Sequence, residues 1–448
     1  MDAFVIQGGK RLRGRLRING SKNACLPLMA AALLTDQPVR FSNVPNLSDI
    51  RNMIRLLGTL GMDITHDADA RTCDARATDP GQIEAHYDIV RTMRAGICVL
   101  GPLLAARGKA RVSMPGGCAI GDRPVDLHLR GLQQLGARIS LDEGYIVAET
   151  PKGGRLIGAH VFLGGPNGST VLGTANVLSA AVLARGVTVI ECAACEPEIE
   201  DLADMLTRMG AKISGAGSPR LIVEGVEQLN GCDHPVMPDR IEAGTYVIAA
   251  AITNGEVTLE NFPTRHLMAL IDRLNEVGVS VEREEGNDIT SMFNGAGGTS
   301  GGGGSDTVRI AAQRHLKPVR VVTQPHPGFP TDLQAQMMAL LCLADGNSIV
   351  TEKIFQDRFM HVPELQRMGA DLSRSGSSVI VSGVRELIGA PVMASDLRAS
   401  AGLVLAGLAA RGATIVNRVY HLDRGYEKME RSLCSLGADI QRIDDAEL

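Results

Sequence analysis

Residues 109–137 read KARVSMPGGCAIGDRPVDLHLRGLQQLGA, and this stretch decides the fold because its pattern occurs six times in the chain. A β run is followed by a loop, an amphipathic helix, a turn close to Leu-Gly-Ala and another β run. The six leading β runs lie at 38–44, 109–116, 187–193, 256–262, 348–354 and 413–419. The turns contain Gly61, Gly136, Gly210, Gly278, Gly369 and Gly437, each expected to end a helix in the left-handed conformation. The sequence therefore predicts an α/β fold of six repeated units.

Six units of this size predict two domains of three units each. We expect one domain at 22–235, carrying the loop around Cys118, and a second formed by 1–21 together with 236–448. In this arrangement the first β segment completes the domain built by the last three units. The Gly/Ser-rich run at 294–306 lengthens the fifth unit and is interpreted as an inserted surface loop.

The composition argues against several functional classes. The 448 residues are 44% hydrophobic, and the net charge of -5 gives no general attraction for polyanions. With no Trp, 5 Tyr and 8 Phe, the chain lacks the aromatic platforms on which single-stranded nucleic acids stack. No stretch approaches the roughly 18 apolar residues of a membrane span, and the first residues do not resemble a signal peptide. We expect a cytoplasmic protein with no nucleic-acid or membrane partner.

The nine cysteines are scattered along the chain, which favours reduced thiols over a disulfide framework. Cys192 and Cys195 form a CxxC, but no second pair or nearby His completes a zinc site, so we predict a structural role and no metal. Cys118 lies in a Gly-Gly loop ahead of Arg123 and Pro124. A guanidinium and a helix N-terminus both favour the thiolate, so a reactive thiol is one interpretation. A buried, inert cysteine is the alternative.

Four further segments place charged residues near predicted helix starts. Lys22 and Asn23 precede a helical pattern, and a solvated loop is the alternative interpretation. Asp332 is a candidate base, although a helix N-cap would also explain it. Arg398 and Arg424 each lie beside an Asp at the start of a helical pattern, where surface ion pairing is the alternative. A Lys, several Arg, an acidic thiol and a carboxylate suit a small polyanion such as phosphoenolpyruvate.

Seven motifs make the chain similar to one known family. They are Lys22-Asn23, PGGCAIGDRPVDLH (115–128), PDRIEAGT (238–245), PHPGFPTDLQAQ (325–336), FQDRFMHVPELQRMGA (355–370), ASDLRAS (394–400) and DRGYEKME (423–430). With these motifs in this order, the chain resembles the UDP-N-acetylglucosamine 1-carboxyvinyltransferase family, the enolpyruvyl transferases of peptidoglycan synthesis. The shikimate-pathway enolpyruvyl transferases share the six-unit fold but are not expected to carry the Gly-Gly-Cys loop.

The resemblance implies a two-domain inside-out α/β barrel, the enolpyruvyl transferase fold. It also implies transfer of the enolpyruvyl group of phosphoenolpyruvate to the 3-hydroxyl of UDP-N-acetylglucosamine, by addition and elimination through a tetrahedral ketal. Asp332 would accept the hydroxyl proton and Cys118 would protonate C3 of phosphoenolpyruvate. No cofactor would be needed, because Arg and Lys side chains neutralise the substrate charges.

The site residues implied by the resemblance follow the same motifs. Lys22 and Arg123 would neutralise the phosphate, and Arg398 with Arg424 the carboxylate; Lys22 and Arg398 would thus act in catalysis with Cys118 and Asp332. The substrate-binding residues implied are Lys22, Asn23, Arg94, Arg123, Pro124, Val125, Asp126, Leu127, Thr170, Val171, Asp332, Ile354, Arg398 and Arg424.

Two segments depart from the family pattern. The segment at 163–176 is longer, Gly-rich and without the Lys of familiar members, so Thr170 and Val171 are expected to contact the nucleotide through backbone groups. Cys195 stands where an Arg is expected. A catalytically silent UDP-sugar-binding paralogue and a shikimate-type transferase are the alternative functions.

Overall fold

The computed structural model describes residues 2–115, 125–152, 154–166, 168–284, 306–312 and 315–444. Cys118, Arg123, Pro124 and residues 294–305 therefore lie outside the described residues. The described residues divide into two compact units, which we name the terminal unit (2–19 and 238–444) and the middle unit (20–115 and 125–237). The chain passes from one to the other at Asn19–Gly20 and at Met237–Pro238.

Strands and helices alternate along both units. The strands are β1 Asp2–Gln7, β2 Arg13–Arg17, β3 Val39–Ser42, β4 Met62–Asp67, β5 Thr72–Ala77, β6 Glu84–Ala85, β7 Lys109–Ser113, β8 Arg138–Asp142, β9 Tyr145–Glu149, β10 His160–Phe162, β11 Val187–Glu191, β12 Lys212–Ser214, β13 Arg220–Glu224, β14 Cys232–Pro235, β15 Glu256–Phe262, β16 Val279–Arg283, β17 Asp306–Ala312, β18 Arg320–Val322, β19 Asn347–Thr351, β20 Asp371–Ser375, β21 Ser378–Ser382, β22 Pro391–Met393, β23 Ala413–Asn417 and β24 Asp439–Asp444. The α-helices are α1 Lys22–Ala31, α2 Ser48–Thr59, α3 Tyr87–Val90, α4 Leu100–Arg107, α5 Asp126–Gln134, α6 Val171–Ala181, α7 Pro197–Arg208, α8 Arg240–Ile252, α9 Met268–Val277, α10 Gln334–Leu341, α11 Val362–Arg367, α12 Leu397–Ala409 and α13 Met429–Ser435. Short 3-10 segments occur at Ala32–Leu34, Arg94–Val99, Thr264–Leu267, Thr331–Leu333 and Val419–Arg424.

The described strands form six four-stranded sheets that share one topology. In each sheet the first strand pairs in parallel with the second, and the second is followed by two antiparallel neighbours, as in β14-β3-β5-β4. The middle unit also contains β6-β7-β9-β8 and β10-β11-β13-β12, and the terminal unit contains β2-β15-β17-β16, β18-β19-β21-β20 and β22-β23-β1-β24. The second strand of every sheet overlaps one of the six predicted β runs, and all six turn glycines have a positive φ. The predicted α/β fold of six repeated units is confirmed.

The N-terminal strands pair with strands from the C-terminal part of the chain. Strand β1 lies antiparallel to both β23 and β24, while β2 lies parallel to β15. Two sheets of the terminal unit are therefore completed by the first residues of the chain.

The helices of each unit are of two kinds. Helices α1, α4 and α6 in the middle unit and α8, α10 and α12 in the terminal unit are buried over most of their length, as their Ala- and Leu-rich sequences predict. Helices such as α2 and α7 bury only one face. Each unit has its own hydrophobic core. None of the helices in the described ranges is both long and apolar enough to span a bilayer.

Candidate functional site

Asp332 is the centre of a charged cluster in the terminal unit. It lies in the 3-10 segment that leads into α10. Its Oδ1 accepts a hydrogen bond from Nη1 of Arg358 at 2.7 Å, and its Oδ2 accepts one from Nη2 of Arg398 at 3.0 Å. Burial alone would raise the pKa of Asp332, but the charges and hydrogen bonds of the two guanidiniums outweigh it and hold the pKa well below its usual range.

This geometry decides between the interpretations left open for Asp332 and Arg398. The residue at the N-cap of α10 is Leu333, and no side-chain hydrogen bond caps that helix, so the N-cap interpretation of Asp332 is wrong. Arg398 is only 3% exposed, so surface ion pairing does not describe it. Arg398 is buried and Asp332 is partly buried, and a pair of this kind holds both partners in defined positions, because separating them would leave the buried guanidinium uncompensated.

Arg398 is held from a second side by a network of buried hydroxyl and amide groups. Its Nη1 donates to Oη of Tyr426 at 3.2 Å, and this hydroxyl lies 2.8 Å from Oγ1 of Thr245. Nε2 of Gln336 donates to the carbonyl of Asp332 at 3.0 Å and to Thr245 Oγ1 at 3.1 Å. Since Thr245, Gln336 and Arg398 belong to α8, α10 and α12, the three buried helices of the unit meet at this network.

The loop after β19 brings Ile354 and Arg358 to the same cluster. Ile354 is partly buried, and its backbone N–H donates to Oε1 of Glu352 at 2.8 Å. Arg358 is buried and contacts Asp332 as described above. The sequence-based set omitted Arg358, although this residue lies within the FQDRFMHVPELQRMGA motif. Arg358 lies in a loop that follows a β run, and this position within the motif was the signal that indicated a site residue.

Arg424 ends the 3-10 segment Val419–Arg424. Arg424 was expected at the start of a helical pattern; it lies in this 3-10 segment, and the α-helix that follows, α13, begins only at Met429. Burial and then the charge of Arg424 lower the pKa of His421. Arg424 is therefore close to a titratable ring and, along the chain, to Tyr426, which binds Arg398.

Lys22 and Asn23 are the first residues of α1 in the middle unit. Oγ of Ser21 caps this helix by accepting a hydrogen bond from the N–H of Ala24 at 3.2 Å. Lys22 is buried, and its Nζ lies 3.2 Å from Oδ2 of Asp49. The solvated-loop interpretation is therefore wrong for Lys22. A cation in the first turn of a helix is disfavoured by the helix dipole, and the Asp49 carboxylate compensates for this.

Arg94 begins the 3-10 segment that leads into α4, close to His128 of α5. Burial and then the charge of Arg94 lower the pKa of His128 to about 3, so this imidazole is neutral at physiological pH. Nδ2 of Asn176 lies 2.9 Å from Nδ1 of His128, and Oδ1 of Asn176 accepts a hydrogen bond from the N–H of Gly101 at 2.7 Å. An amide NH₂ can only donate, so the proton of His128 is assigned to Nε2. Asn176 thereby ties α5 to α4 and α6.

Two other predicted binding segments also lie at helix starts in the middle unit. Asp126 and Leu127 open α5 directly after the buried Val125. Thr170 is the N-cap of α6, with its Oγ1 accepting a hydrogen bond from the N–H of Gly173 at 3.2 Å, and Val171 is the first residue of that helix. The first N–H groups of a helix have no intrahelical acceptor, which makes the start of α6 suitable for phosphate oxygens, whereas Asp126 places a carboxylate in the first turn of α5.

The described cysteines differ in exposure. Cys25, Cys73, Cys98 and Cys342 are buried, and burial raises the pKa of each thiol. Cys434 lies in α13 and is exposed. Cys192 and Cys195 are free thiols. No group of three or more His, Cys, Asp or Glu residues within the described ranges has the arrangement of a metal site.

Comparison with known proteins identifies the family. The model of the EPSP synthase (3-phosphoshikimate 1-carboxyvinyltransferase) family matches residues 6–433. A curated relative from Oleidesulfovibrio alaskensis named UDP-N-acetylglucosamine 1-carboxyvinyltransferase is 51% identical over 99% of this chain and 100% of its own length. Relatives of the same name from Methylacidiphilum infernorum and Coxiella burnetii are 48% and 49% identical over 99% of this chain, covering 99% and 96% of their own lengths.

Solved structures show the same fold. The enolpyruvyl transferase NikO from Streptomyces tendae superposes with a TM-score of 0.84 at 23% identity and covers 98% of both chains. An EPSP synthase from Acinetobacter baumannii superposes with a TM-score of 0.74 at 18% identity, over 99% of this chain and 100% of that one. These similarities confirm the predicted enolpyruvyl transferase fold. Together with the sequence identities above, they show that this chain is an enzyme that belongs to the UDP-N-acetylglucosamine 1-carboxyvinyltransferase family.

Proposed function

We propose that this chain transfers the enolpyruvyl group of phosphoenolpyruvate to the 3-hydroxyl of UDP-N-acetylglucosamine and releases phosphate, as the first committed step of peptidoglycan synthesis. The observation that carries the proposal is the Asp332 carboxylate held between Arg358 and Arg398. This arrangement places a base beside guanidiniums that can bind the carboxylate of a substrate. The names of the curated relatives support the same reaction.

In the proposed mechanism Asp332 accepts the proton of the sugar hydroxyl as the oxygen attacks C2 of phosphoenolpyruvate. A carboxylate paired with two guanidiniums is a weak base, so one guanidinium must leave Asp332 before this carboxylate can accept the proton. The carboxylate of phosphoenolpyruvate competes with Asp332 for Arg398. Loss of that pairing raises the pKa of Asp332 towards the range in which it can take a proton.

Addition is completed when Cys118 gives a proton to C3, which leaves a tetrahedral ketal. In the elimination the Cys118 thiolate takes a proton back from C3, the bond between C2 and the phosphate oxygen breaks and the double bond re-forms. The departing phosphate takes the proton held by Asp332. Lys22 and Arg123 neutralise the phosphate, while Arg398 and Arg424 neutralise the carboxylate. Lys22 is held ready by Asp49 at 3.2 Å.

The residues proposed to bind the UDP-sugar are those that the family resemblance implies. They are Asn23, Arg94, Arg123, Pro124, Val125, Asp126, Leu127, Thr170, Val171 and Ile354. Val171 would contribute its backbone N–H, as expected for a phosphate at a helix N-terminus. The free thiols of the described cysteines suit a reducing compartment, so the cytoplasm is the proposed location.

Alkylation of Cys118 tests the proposed acid. An epoxide that mimics phosphoenolpyruvate, such as fosfomycin, should modify this thiol, and more readily in the presence of UDP-N-acetylglucosamine. Cys118→Ala should lower phosphate release by about 10²-fold or more, whereas Cys118→Asp retains a proton donor and should escape alkylation.

Cys434 provides the control because it is exposed. Cys434→Ala should leave both alkylation and turnover unchanged. Peptide mapping by mass spectrometry identifies the modified residue. An adduct on Cys434 instead of Cys118, or full activity of Cys118→Ala, would show that the acid is assigned wrongly.

A further inference from the structure

Glu352 is a fully buried carboxylate at the end of β19, and the reaction proposed above does not use it. Its Oε1 accepts hydrogen bonds from Oγ1 of Thr323 at 2.7 Å and from the N–H groups of Ile354 at 2.8 Å and Phe355 at 3.0 Å. Its Oε2 accepts a hydrogen bond from Oγ1 of Thr331 at 2.8 Å. Charged side chains are rarely buried without such partners. One carboxylate thus joins the segment before Asp332 to the loop that carries Ile354 and Arg358.

The hydroxyl of Thr331 connects Glu352 to the charged cluster. An ionised carboxylate only accepts hydrogen bonds, so the Thr331 hydroxyl must donate to Glu352, and its oxygen then accepts from another group. That group is Arg358, whose Nη1 lies 3.1 Å from Thr331 Oγ1. The same Nη1 donates to Oδ1 of Asp332 at 2.7 Å. Glu352 therefore sets the direction of hydrogen bonding along a chain that ends on Asp332.

We propose that Glu352 is a positioning residue that orients the Thr331 hydroxyl and thereby holds Arg358 against Asp332, while fixing the backbone at Ile354. Glu352 does not touch the reacting atoms. Its kinetic consequences rest on the proposed function, in which Asp332 is the base and Ile354 contacts the UDP-sugar.

Glu352→Gln tests this proposal because the amide keeps the shape of the carboxylate but introduces two N–H donors. When the NH₂ group of the Gln takes the place of Oε1, it faces three hydrogen-bond donors, the Thr323 hydroxyl and the N–H groups of Ile354 and Phe355. In the place of Oε2 it faces Thr331, whose hydroxyl must turn to accept and can then direct its own hydrogen towards Arg358. In both orientations the hydrogen bonding along the chain is disrupted.

The expected result is a fall of about 10- to 100-fold in kcat for phosphate release, because Asp332 without its hydrogen bond from Arg358 is no longer held in position. This is the size of losing a hydrogen bond to a charged group, and it outweighs the gain in basicity. The acid limb of the pH profile should also move to higher pH, since a loosened Arg358 no longer holds down the pKa of Asp332. A purely structural role would instead lower the melting temperature and leave the kinetic constants and the acid limb of the folded enzyme unchanged.

Thr351→Val is the matched control. Thr351 is the neighbour of Glu352 in sequence, and its Oγ1 bonds to Oγ of Ser378 at 2.8 Å, away from the charged cluster. This variant removes a hydrogen bond from the same strand and should keep the wild-type kcat and pH profile. An equal loss of kcat in Glu352→Gln and Thr351→Val would mean that any substitution at the end of β19 lowers turnover, and would overturn the proposal.

Thr331 variants test the same chain if Glu352→Gln fails to fold. Thr331→Val removes the hydroxyl and should reproduce the loss of kcat and the shift of the acid limb. Thr331→Ser keeps the hydroxyl and should stay close to the wild type in both kcat and pH profile. In the double variant with Glu352→Gln, Thr331→Val should add little to the effect of either change alone, because both break one chain. Wild-type kcat and pH profile in Thr331→Val or in folded Glu352→Gln would overturn the proposal.

A crystal structure of Glu352→Gln separates this proposal from the proposed function. If the wild-type enzyme did not act on phosphoenolpyruvate, the proposed function would fail, but the position of Arg358 could still be measured. The proposal requires that Arg358 Nη1 leave hydrogen-bonding distance of Asp332 Oδ1. An unchanged distance would contradict it.

Discussion

The two units are built on the same plan but differ in charge at the starts of their buried helices. In the terminal unit Asp239 and Asp396 cap α8 and α12, and Asp332 lies just before α10. In the middle unit Ser21 and Thr170 cap α1 and α6 with hydroxyl groups, and the first turns of the described helices α1, α4 and α6 contain no acidic residue.

The difference shows how one fold can carry two kinds of chemistry. A carboxylate at a helix start neutralises the partial positive charge of the helix N-terminus, so α8 and α12 of the terminal unit satisfy their own first N–H groups. Hydroxyl caps leave that positive potential in place, so the middle unit is the better receiver of anions. The repeated fold sets the positions, and the side chains at those positions decide what they can bind.

The largest expected effect comes from removing the charge of Asp332. Asp332→Asn should lower kcat by about 10²- to 10⁴-fold, the range expected for loss of a general base, while UDP-N-acetylglucosamine still binds. Steady-state phosphate release and calorimetric binding measure the two quantities. Asp306→Asn is the control, because Asp306 pairs with Arg283 at 2.7 Å in the same unit without belonging to the charged cluster. A kcat of Asp332→Asn close to that of the control would remove Asp332 from the mechanism.

A second prediction concerns Glu242, the acid in the first turn of α8. Its Oε2 accepts a hydrogen bond from the N–H of Asn19 at 2.8 Å and its Oε1 one from Asn19 Nδ2 at 2.9 Å. Burial, and then the charge of Asp239, raise the pKa of Glu242 to about 8 from an ordinary value of 4.5. Between these two pH values the unfolded chain releases the proton that the folded chain retains. The free energy of unfolding should therefore fall as the pH rises through this window.

Glu242→Gln should remove this pH dependence. When the Asn19 amide turns over, so that its Oδ1 takes the place of Nδ2, the Gln amide can donate to this oxygen, a buried atom without a hydrogen-bond partner among the described residues. The free energy of unfolding of the variant, minus that of the wild type, should be about 1 to 3 kcal/mol more favourable at pH 8 than at pH 5. Chemical denaturation at the two pH values measures it. Parallel stability curves for the two proteins would show that Glu242 does not titrate in this window.

A smaller effect is expected when an acid is placed at a helix start of the middle unit. Thr170→Asp retains a good N-cap, so the melting temperature should be unchanged or raised. The new charge repels the diphosphate of the UDP-sugar and should raise its KM about tenfold, which corresponds to about 1.4 kcal/mol. In Thr170→Asn the new side chain has nearly the shape of Asp but no charge, so this variant should keep the wild-type KM. Equal KM values for the Asp and Asn variants would contradict the proposed anion site.

The repeats were predictable from sequence because each one carries local signals. A β run, an amphipathic helix and a glycine with positive φ recur at all six turns, and such signals depend on neighbours along the chain. The motifs also placed Asp332 and Arg398 in one candidate site.

Long-range pairing was not predictable in the same way. Asp332 receives Arg358 and Arg398 from two different segments, and Glu352 joins Thr323 and Thr331 to its own loop. Nothing in the spacing of these residues marks them as partners, because the turns of the fold bring them together. The burial of Lys22 was missed for the same reason, since its counter-charge Asp49 lies in the next helix.

Phosphate release from phosphoenolpyruvate with two different acceptors tests whether the enzyme uses a UDP-sugar as its acceptor. UDP-N-acetylglucosamine and shikimate 3-phosphate should be offered separately to the wild-type enzyme, with the enolpyruvyl product identified by mass spectrometry. We expect phosphate release and an enolpyruvyl ether with UDP-N-acetylglucosamine, and neither with shikimate 3-phosphate. Comparable turnover of both acceptors, or binding of UDP-N-acetylglucosamine without phosphate release, would contradict it.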